Sequence, residues 1–491
     1  MKTRLRFESI TGIAALFVAA SAACAQGNST PSAATSERAA AAASQPPAAG
    51  TFAFTDVSVI PMDREQVLSR QTVVVRDGKI LSVGPASSAV IPPDATRIDG
   101  TGKYLMPGLA EMHAHVAGGQ APGSEQTNKD IFFLYIANGI TTIRAMLGAP
   151  NQLVLREQLR TGELLGPTMY VGAPSINGQS APDPATGERL VRQHKAAGYD
   201  FLKIHPGPSR ATYDAVVRTA RQVGITWAGH VPDAVGVRHA LASRQSTIDH
   251  LDGYLAAAIP DSLQQRVLRS EVPIAQLISA VDESRFTALA EQTKAAGVWN
   301  TPTMFLWESF FTPIAAEEME RRPEMRYATR AWLTQWGNQK RQRLSADQRD
   351  GVTPEIANRH ITLRRRMLKS LSDAGARLLM GTDSPQMFNV PGFALQREME
   401  VMVASGLTPY QVLESGTRNI ARYAADDLKL DGAFGTVAPG NRADLVLLDA
   451  NPLADLRNLT GRSGVMVRGR WVSKNAIDTG LEELVRRNGG S

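Results

Sequence analysis

The sequence predicts an α/β protein, a (β/α)₈ TIM barrel with a small β-sandwich built from both ends of the chain. Two observations predict it. In residues 106–429 short apolar strands alternate with helix-like stretches, and eight such units over about 300 residues are typical of a parallel barrel. The flanks, residues 51–105 and 430–478, instead hold β-branched segments that alternate by two between glycine turns. We expect these flanks to pair as the sandwich.

The barrel strands are predicted where apolar and β-branched residues form short runs. The first ends at His113 and His115, and the others are GITTIRAML, GPTMYVGAPSI, YDFLKIH, GITWAGHVP, QSTIDHLDG, GVWNTPTMFL and ARLLMGTDSP. Glycine closes several of the helices between them, at Gly198, Gly224, Gly297 and Gly375. Residues 307–373 are too long for one helix, and we interpret them as a helical excursion that could cover the barrel mouth.

The N-terminus has the pattern of a signal peptide, residues 1–25. Basic residues precede the apolar stretch Ile10–Ala20, and Ala23-Cys24-Ala25 fits a small-residue cleavage site. Cleavage there would leave an exported protein, periplasmic or secreted, without cysteine. A lipid anchor on Cys24 is the alternative. Residues 26–50 are rich in Ala, Ser and Pro, and we expect a disordered tether.

Composition restricts the partners. Of the 491 residues, 43% are hydrophobic and 20% charged, which is usual for a globular enzyme. The net charge of +6 is spread without a long basic run, so no nucleic acid is expected as a partner. No apolar run of about 18 or more residues follows the signal segment, so no membrane span is expected. The expected partner is a small-molecule or dipeptide-like substrate, and a homo-oligomer remains an option by analogy.

A set of polar residues falls at predicted strand ends, where barrels carry their catalytic groups. His113 and His115, two apart in a strand, would present two imidazoles on one face, although such a pair can also be structural. The later strands contribute further residues of the same kind, Lys203, His230, His250 and Asp383. Neutral imidazole and carboxylate suit zinc and similar ions. Lys203 could bridge two cations if CO₂ converts it to a carbamate; an amine paired with an acid is the alternative.

Together, MPGLAEMHAH, FLKIH, AGHVP, TIDHLDGY, LLMGTDSP and GTVAPGNRADLVLLDANPL make the chain resemble the amidohydrolase superfamily over residues 51–478. The most similar branch is that of the imidazolonepropionase-related amidohydrolases, which includes metal-dependent Xaa-Pro dipeptidases. The resemblance implies a barrel flanked by a β-sandwich and a site with two metals. Imidazolonepropionase itself uses one metal and lacks the lysine, so Lys203 and the predicted export argue against that activity.

The resemblance also implies the ligands. They are His113, His115 and Asp383 for the first metal, and His230 and His250 for the second. A carbamate on Lys203 would bridge the two divalent ions, for which zinc is the expected element. The implied mechanism is attack by a metal-bridging hydroxide, because the cations lower the pKa of water towards about 7. Asp383 would act as general base and then as general acid.

Three further residues are candidates for contacts with the substrate. Tyr254, four residues after His250, could donate to the developing oxyanion, or it could be a packed aromatic residue. His205 lies on the face of Lys203 and could touch substrate, or it could be a hydrogen-bonded strand-end histidine. Arg144 could meet a substrate carboxylate, although structural pairing is the favoured interpretation. We expect the remaining histidines, His194, His239 and His360, at the surface.

The predicted function is that of an exported metal-dependent hydrolase of amide or peptide bonds, of the dipeptidase or N-acyl amino acid type. Lactones, cyclic amides and organophosphate esters are alternative substrates, because the same metal centre can attack all of them. An alternative of another class is a catalytically silent barrel that binds a ligand or partner. The complete set of ligand residues argues against a silent barrel.

Overall fold

The structure is a computed structural model that describes residues 50–118 and 123–489. The predicted signal peptide and, except for Gly50, the predicted tether lie outside the described residues. The strands within the described ranges are β1 (Phe52–Val59), β2 (Leu68–Arg76), β3 (Lys79–Pro85), β4 (Thr96–Asp99), β5 (Tyr104–Pro107), β6 (Leu109–Ala114), β7 (Ile140–Ala145), β8 (Thr168–Val171), β9 (Phe201–Ile204), β10 (Thr226–Gly229), β11 (Thr247–Asp249), β12 (Trp299–Thr301), β13 (Arg377–Leu378), β14 (Leu445–Leu448), β15 (Arg462–Val467) and β16 (Arg470–Ser473).

Helices separate the central strands, as predicted. They are α1 (Ser124–Ala137), α2 (Pro150–Thr161), α3 (Pro184–Ala196), α4 (Arg210–Val223), α5 (Val237–Ala242), α6 (Tyr254–Ala257), α7 (Asp261–Leu268), α8 (Ile274–Ala280), α9 (Phe286–Ala296), α10 (Met304–Phe311), α11 (Ala316–Met319), α12 (Arg330–Arg349), α13 (Pro354–Ala374), α14 (Phe393–Ala404), α15 (Pro409–Ser415), α16 (Arg418–Tyr423) and α17 (Lys474–Asn488). Short 3₁₀ segments lie at Glu283–Arg285, Pro323–Tyr327 and Leu456–Thr460, and a π turn at Ala424–Leu428. No helix in residues 50–118 or 123–489 has the length and apolar character needed to cross a bilayer.

Local chemistry explains where the helices begin and end. α13 begins after Thr353, whose hydroxyl accepts from the backbone N–H of Ile356, and Pro354 occupies its first turn. It ends at Gly375, whose φ of 76° is in the left-handed region that glycine adopts readily. Helices α10 to α13 account for most of the predicted excursion, which is therefore several helices rather than one.

The central strands form two parallel sheets. β6, β7 and β8 form one, and β9 to β13 form the other in chain order. Parallel bridges connect them at both edges, between Gly172 and Phe201 on one side and between Ala114 and Ser384 on the other. The backbone N–H of Asp383 also donates to the carbonyl of His113 at 2.8 Å. The carboxyl ends of the strands therefore point the same way.

Both ends of the chain meet in a separate eight-stranded sheet. Its order is β16-β15-β14-β5-β1-β2-β3, and β4 also pairs with β1. Its hairpins turn where glycine turns are predicted, at Asp77-Gly78 and at Arg468-Gly469, and all four of these residues have positive φ. One face buries an apolar cluster that includes Phe54, Leu105 and Met466.

An apolar layer lies below the strand ends in the central sheets. Residues two apart in a strand share a face, so Phe201 precedes Lys203 and Ala228 precedes His230 on the same side. Phe201, Ala228 and Trp299 belong to one buried cluster with Tyr423 and Phe434. The polar residues at the strand ends therefore pack against a buried hydrophobic layer.

Candidate metal centre

The predicted ligands come from separate strands and meet at one edge of the sheets. His113 is in β6 and Lys203 is in β9. His230 directly follows β10, and His250 directly follows β11. Asp383 follows β13. Because parallel strands bring their carboxyl ends to one edge, residues as far apart in sequence as His113 and Asp383 converge.

His113, His250 and Asp383 form the tightest part of the cluster. All three are buried, and one ligand atom from each lies within 4.8 Å of the others. The Nε2 atoms of His113 and His250 are each 3.6 Å from a different carboxylate oxygen of Asp383. His115 completes this group, since its Nε2 is 2.5 Å from Asp383 Oδ1.

The remaining predicted residues lie alongside. The ring centre of His230 is 4.6 Å from that of His250 and 5.0 Å from that of His205. Lys203 is fully buried, with its Nζ 3.4 Å from His113 Nε2 and 3.9 Å from Asp249 Oδ2. The structure thus brings six predicted ligands and His205 into one cluster.

Three of the histidines form a hydrogen bond at Nδ1, which leaves Nε2 as the other ring nitrogen, and a fourth, His113, has a carboxylate close to its Nδ1 without hydrogen-bond geometry. His113 Nδ1 is 3.1 Å from Asp249 Oδ2 and His230 Nδ1 is 2.7 Å from Asp252 Oδ2. The other two pairs are His250 with Thr303 at 2.7 Å and His205 with Ser175 at 2.5 Å. Metal-ligating histidines are usually oriented in this way through their other nitrogen. Sequence analysis missed all four partners, although Asp249 and Asp252 flank His250 in TIDHLDG.

Three residues at or beside the cluster have a left-handed backbone conformation. His250, Thr303 and Asp383 have φ of 62°, 46° and 64°, in the left-handed region that costs non-glycine residues on the order of 1 kcal/mol or more. The left-handed turn at His250 interrupts the alternation of side-chain directions that β11 would otherwise continue. Asp249 and His250 are adjacent in sequence, yet both side chains reach His113.

Burial sets the protonation of the cluster. Loss of solvent lowers the pKa of His113, His250 and His205 well below the usual value, so these imidazoles are neutral and can act as ligands. Burial also lowers the pKa of the Lys203 amine. The pKa of Asp249 lies below its usual value because Arg144 and Lys203 outweigh the opposing effect of burial.

Arg144 is a structural residue and not a substrate contact. It is fully buried, and its guanidinium donates to the Met112 carbonyl at 2.7 Å and to Asp249 Oδ1 at 3.2 Å. Further bonds go to Thr247, Thr301 and Tyr423. A guanidinium has five N–H groups, and these contacts engage its three nitrogens. Arg144 thus pairs with Asp249 in the interior, which is the structural interpretation that the sequence favours.

The prediction for Tyr254 is wrong. Tyr254 is the first residue of α6 and is fully buried, and its hydroxyl donates to Asn300 Oδ1 and contacts Thr293, each at 2.9 Å. Both partners lie outside the histidine cluster, so the hydroxyl is unavailable to an oxyanion. His194 and His360, expected at the surface, are also buried, with 8% and 6% exposure.

Glu111 is a buried acid that sequence analysis overlooked. Its carboxylate accepts from the backbone N–H groups of His113 at 2.9 Å and Thr382 at 2.8 Å, and from the Thr382 hydroxyl. Burial raises its pKa to about 8. The residue ties the strand that carries His113 to the segment that carries Asp383. Its place two residues before His113, on the same strand face, is the signal that could have identified it.

The donor set fits a divalent cation. His250 Nε2 is buried without a hydrogen-bond partner, and the neighbouring Asp383 supplies an anionic oxygen. Buried polar atoms without partners are rare, and neutral imidazole with carboxylate is a set that zinc prefers.

The chain belongs to the amidohydrolase family. It matches the model of the Amidohydrolase family over residues 104–472, which is more than half of its 491 residues. The predicted superfamily and the predicted enzyme class, an amidohydrolase, are therefore confirmed.

Individual relatives agree with this membership over limited lengths. The imidazolonepropionase of Stenotrophomonas maltophilia (strain R551-3) is 34% identical over 116 residues, which is 22% of this chain and 28% of that protein. The chain thus spans less than a third of that curated relative.

Solved structures resemble the whole described fold. A bottromycin amidohydrolase has a TM-score of 0.67 at 23% identity, covering 89% of this chain and 91% of the other. A Xaa-Pro dipeptidase with methionine bound in its active site has a TM-score of 0.62 at 17% identity, covering 86% and 100%. Identities this low establish the fold alone, and with the family they imply a TIM barrel.

Proposed function

We propose that the protein is an exported, metal-dependent hydrolase of amide or peptide bonds that acts on dipeptides or N-acyl amino acids. The proposal rests mainly on one observation: His113, His250 and Asp383 form a buried cluster at the strand ends. Around it, Thr303 forms a hydrogen bond with Nδ1 of His250, and Asp249 Oδ2 lies 3.1 Å from Nδ1 of His113. A silent binding protein would not need this arrangement.

The ligand assignment forms part of the proposal. His113, His115 and Asp383 would hold one divalent ion, and His230 and His250 the other. Lys203 would join the two sites as a carbamate, since among the described residues its buried amine has no carboxylate within hydrogen-bonding distance and lies 3.4 Å from His113 Nε2. Bound divalent ions, zinc by expectation, supply Lewis acidity that activates water and polarises a carbonyl.

The residues of the chain supply the proton transfers. Asp383 lies at the centre of the cluster and accepts the proton of the attacking water at a carboxylate oxygen. It then donates that proton to the departing amine. His205, stacked beside His230 and anchored on Ser175, is placed to touch the substrate.

The substrate class is supported by the fold neighbours. One of them is a Xaa-Pro dipeptidase with methionine bound in its active site, so a protein of similar fold accommodates a free amino acid in its own active site. We extend the same class, amides formed from amino acids, to this protein.

The domain organisation also remains a proposal. We propose that β6 to β13 close into one barrel, residues 106–429 with the excursion 307–373, and that residues 51–105 and 430–478 form the sandwich. The bridges of Gly172 with Phe201 and of Ala114 with Ser384 support closure, because they join the two central sheets at both edges.

The direct test of the proposed function is metal content per chain. The mature protein would be expressed with zinc and bicarbonate beside Lys203→Ala, with His239→Ala as a control whose ring pairs with Asp214 away from the cluster. We expect two metals in the parent and the control and a clear loss in Lys203→Ala, together with hydrolysis in a screen of dipeptides and N-acyl amino acids. One metal in every protein would leave Lys203 structural, and none in any of them would favour a silent binding protein.

Export has a separate test. Mass spectrometry of material secreted by a bacterial host should find an N-terminus near Gln26, as expected for cleavage after Ala25. A lipid-modified Cys24 would replace this proposal with that of an anchored protein.

A further inference from the structure

Arg364, in the middle of α13, is a buried cation that has no carboxylate partner within residues 50–118 and 123–489. It is only 5% exposed, and among these residues its one hydrogen bond runs from a terminal nitrogen to the His250 carbonyl at 2.6 Å. Its Nε is buried without a partner. A guanidinium offers five N–H groups, and burying a charge without an opposite charge costs free energy. This site therefore favours the binding of an anion.

The neighbouring carboxylates are all engaged elsewhere. Asp252 contacts His230 Nδ1 at 2.7 Å, and Glu308 forms two bonds with Arg365 at 2.6 and 2.7 Å. Glu398 accepts from two backbone N–H groups at the start of α10. Asp252 and Glu308 favour the charged guanidinium from a distance, but none of the three acids forms a hydrogen bond with it.

A second donor without a partner lies beside Arg364. The guanidinium carbon lies 4.8 Å from the ring centre of Trp307, whose indole N–H is buried and also without a partner. The ring of Trp307 is 6.0 Å from that of His250. Two donors with no acceptor therefore flank the metal centre, on helices α10 and α13 of the excursion.

We propose that Arg364 and Trp307 form a carboxylate subsite, so that the enzyme selects amides whose leaving amino acid carries a free α-carboxylate. The subsite rests on the proposed hydrolase function and specifies its substrate. A carboxylate there would accept charge-assisted hydrogen bonds from the guanidinium fork. The excursion would then position the substrate as well as cover the centre.

The test compares N-acetyl-L-amino acids with their carboxamides, in which an uncharged amide replaces the α-carboxylate. The zinc-loaded mature enzyme would be measured beside Arg364→Met and beside Arg366→Met, a control on the same helix that is exposed and paired with Glu283. In the parent and in the control, we expect kcat/KM to be higher for the acids than for the amides, by roughly 30-fold to several thousand-fold. In Arg364→Met the two series should become equal within about threefold. A merely structural Arg364 would lower both series together.

A binding measurement separates this proposal from the function on which it rests. Thermal unfolding would be followed with the same acids and amides, and only the acids should raise the Tm of the parent, with no such rise in Arg364→Met. Acid-specific stabilisation without hydrolysis would retain the subsite and overturn the hydrolase. Hydrolysis without preference for acids, or a preference that survives in Arg364→Met, would overturn the subsite. If Arg364→Met does not fold, Arg364→Lys keeps the charge but loses the fork, and an unchanged acid preference in that variant would overturn the subsite.

Discussion

Gly229 makes room for the buried side chain of Lys203. A Cβ built on Gly229 would lie 3.0 Å from Cδ and 3.3 Å from Cε of Lys203, and 2.5 Å from the carbonyl oxygen of Ile204. The φ of Gly229 is 118°, which other residues rarely adopt. The glycine directly before His230 therefore controls the position of the candidate bridging residue on the neighbouring strand.

Gly229→Ala should displace Lys203 and remove metal from the centre, because the backbone of Ile204 cannot move away easily. We expect less than half of the parent's metal per chain, measured by elemental analysis. Gly224→Ala is the control, since Gly224 also has positive φ, 65°, but nothing lies within 4 Å of its Cβ. It should lose stability and keep its metal; equal metal in both variants would contradict the steric role of Gly229.

Asp249→Asn should destabilise the metal-free protein by roughly 3–5 kcal/mol, because the buried Arg144 would lose its counter-ion. The free energy of unfolding in urea measures this effect. Asp214→Asn is the matched change at an exposed pair, where we expect at most about 1 kcal/mol. Similar losses in the two variants would mean that the Arg144–Asp249 pair contributes no more than a surface ion pair.

Asp383→Asn should keep the fold and lower kcat by roughly 10²- to 10⁴-fold, because the amide cannot act as the base. The rate would be measured on the best substrate of the screen, with metal content determined on the same samples. Asp373→Asn, on α13 and paired with exposed Lys369, should match the parent. Turnover near the parent's in Asp383→Asn would assign the base to another group.

Glu398→Gln should change how stability depends on pH. Burial raises the pKa of Glu398 from 4.5 to about 8, so between about pH 5 and 8 the native state holds a proton that the unfolded chain has released. The parent therefore loses stability as pH rises through this window, by up to about 1.4 kcal/mol per pH unit from this group. Gln does not titrate, so the stability of the variant relative to the parent should rise with pH.

Urea unfolding at pH 5, 6.5 and 8 would measure this trend. The constant offset between the two proteins carries no information, since Gln cannot satisfy both backbone N–H groups at Met304 and Phe305. Glu400→Gln, at an exposed acid that pairs with Arg397, is the matched surface control. A difference between Glu398→Gln and the parent that does not change with pH would show that Glu398 is ionised throughout.

Much of the architecture could be predicted because short-range patterns carry it. Alternation by two, glycine turns and helix caps act over a few residues, and they located the central strands and the paired chain ends. The same reasoning selected His113, Lys203 and His250, since a polar residue at the end of an apolar strand is conspicuous.

The family, too, was accessible from sequence, because its motifs lie at these same strand ends. The sequence by itself therefore determined the α/β class, the amidohydrolase family and the residues that could hold a metal. These properties depend on which residue occupies each position along one strand.

The tertiary structure decided which side chains touch each other. It turned Tyr254 towards Asn300, used every guanidinium nitrogen of Arg144 in the interior, and left the Nε atom of Arg364 without a hydrogen-bond partner in the part of the chain that the structure describes. These outcomes depend on how helices pack against strands tens of residues away in sequence, and on left-handed turns such as the one at His250 that break the period of two. Local patterns carry no information on such contacts, because the energy of a buried charge or hydroxyl depends on partners that only folding brings together.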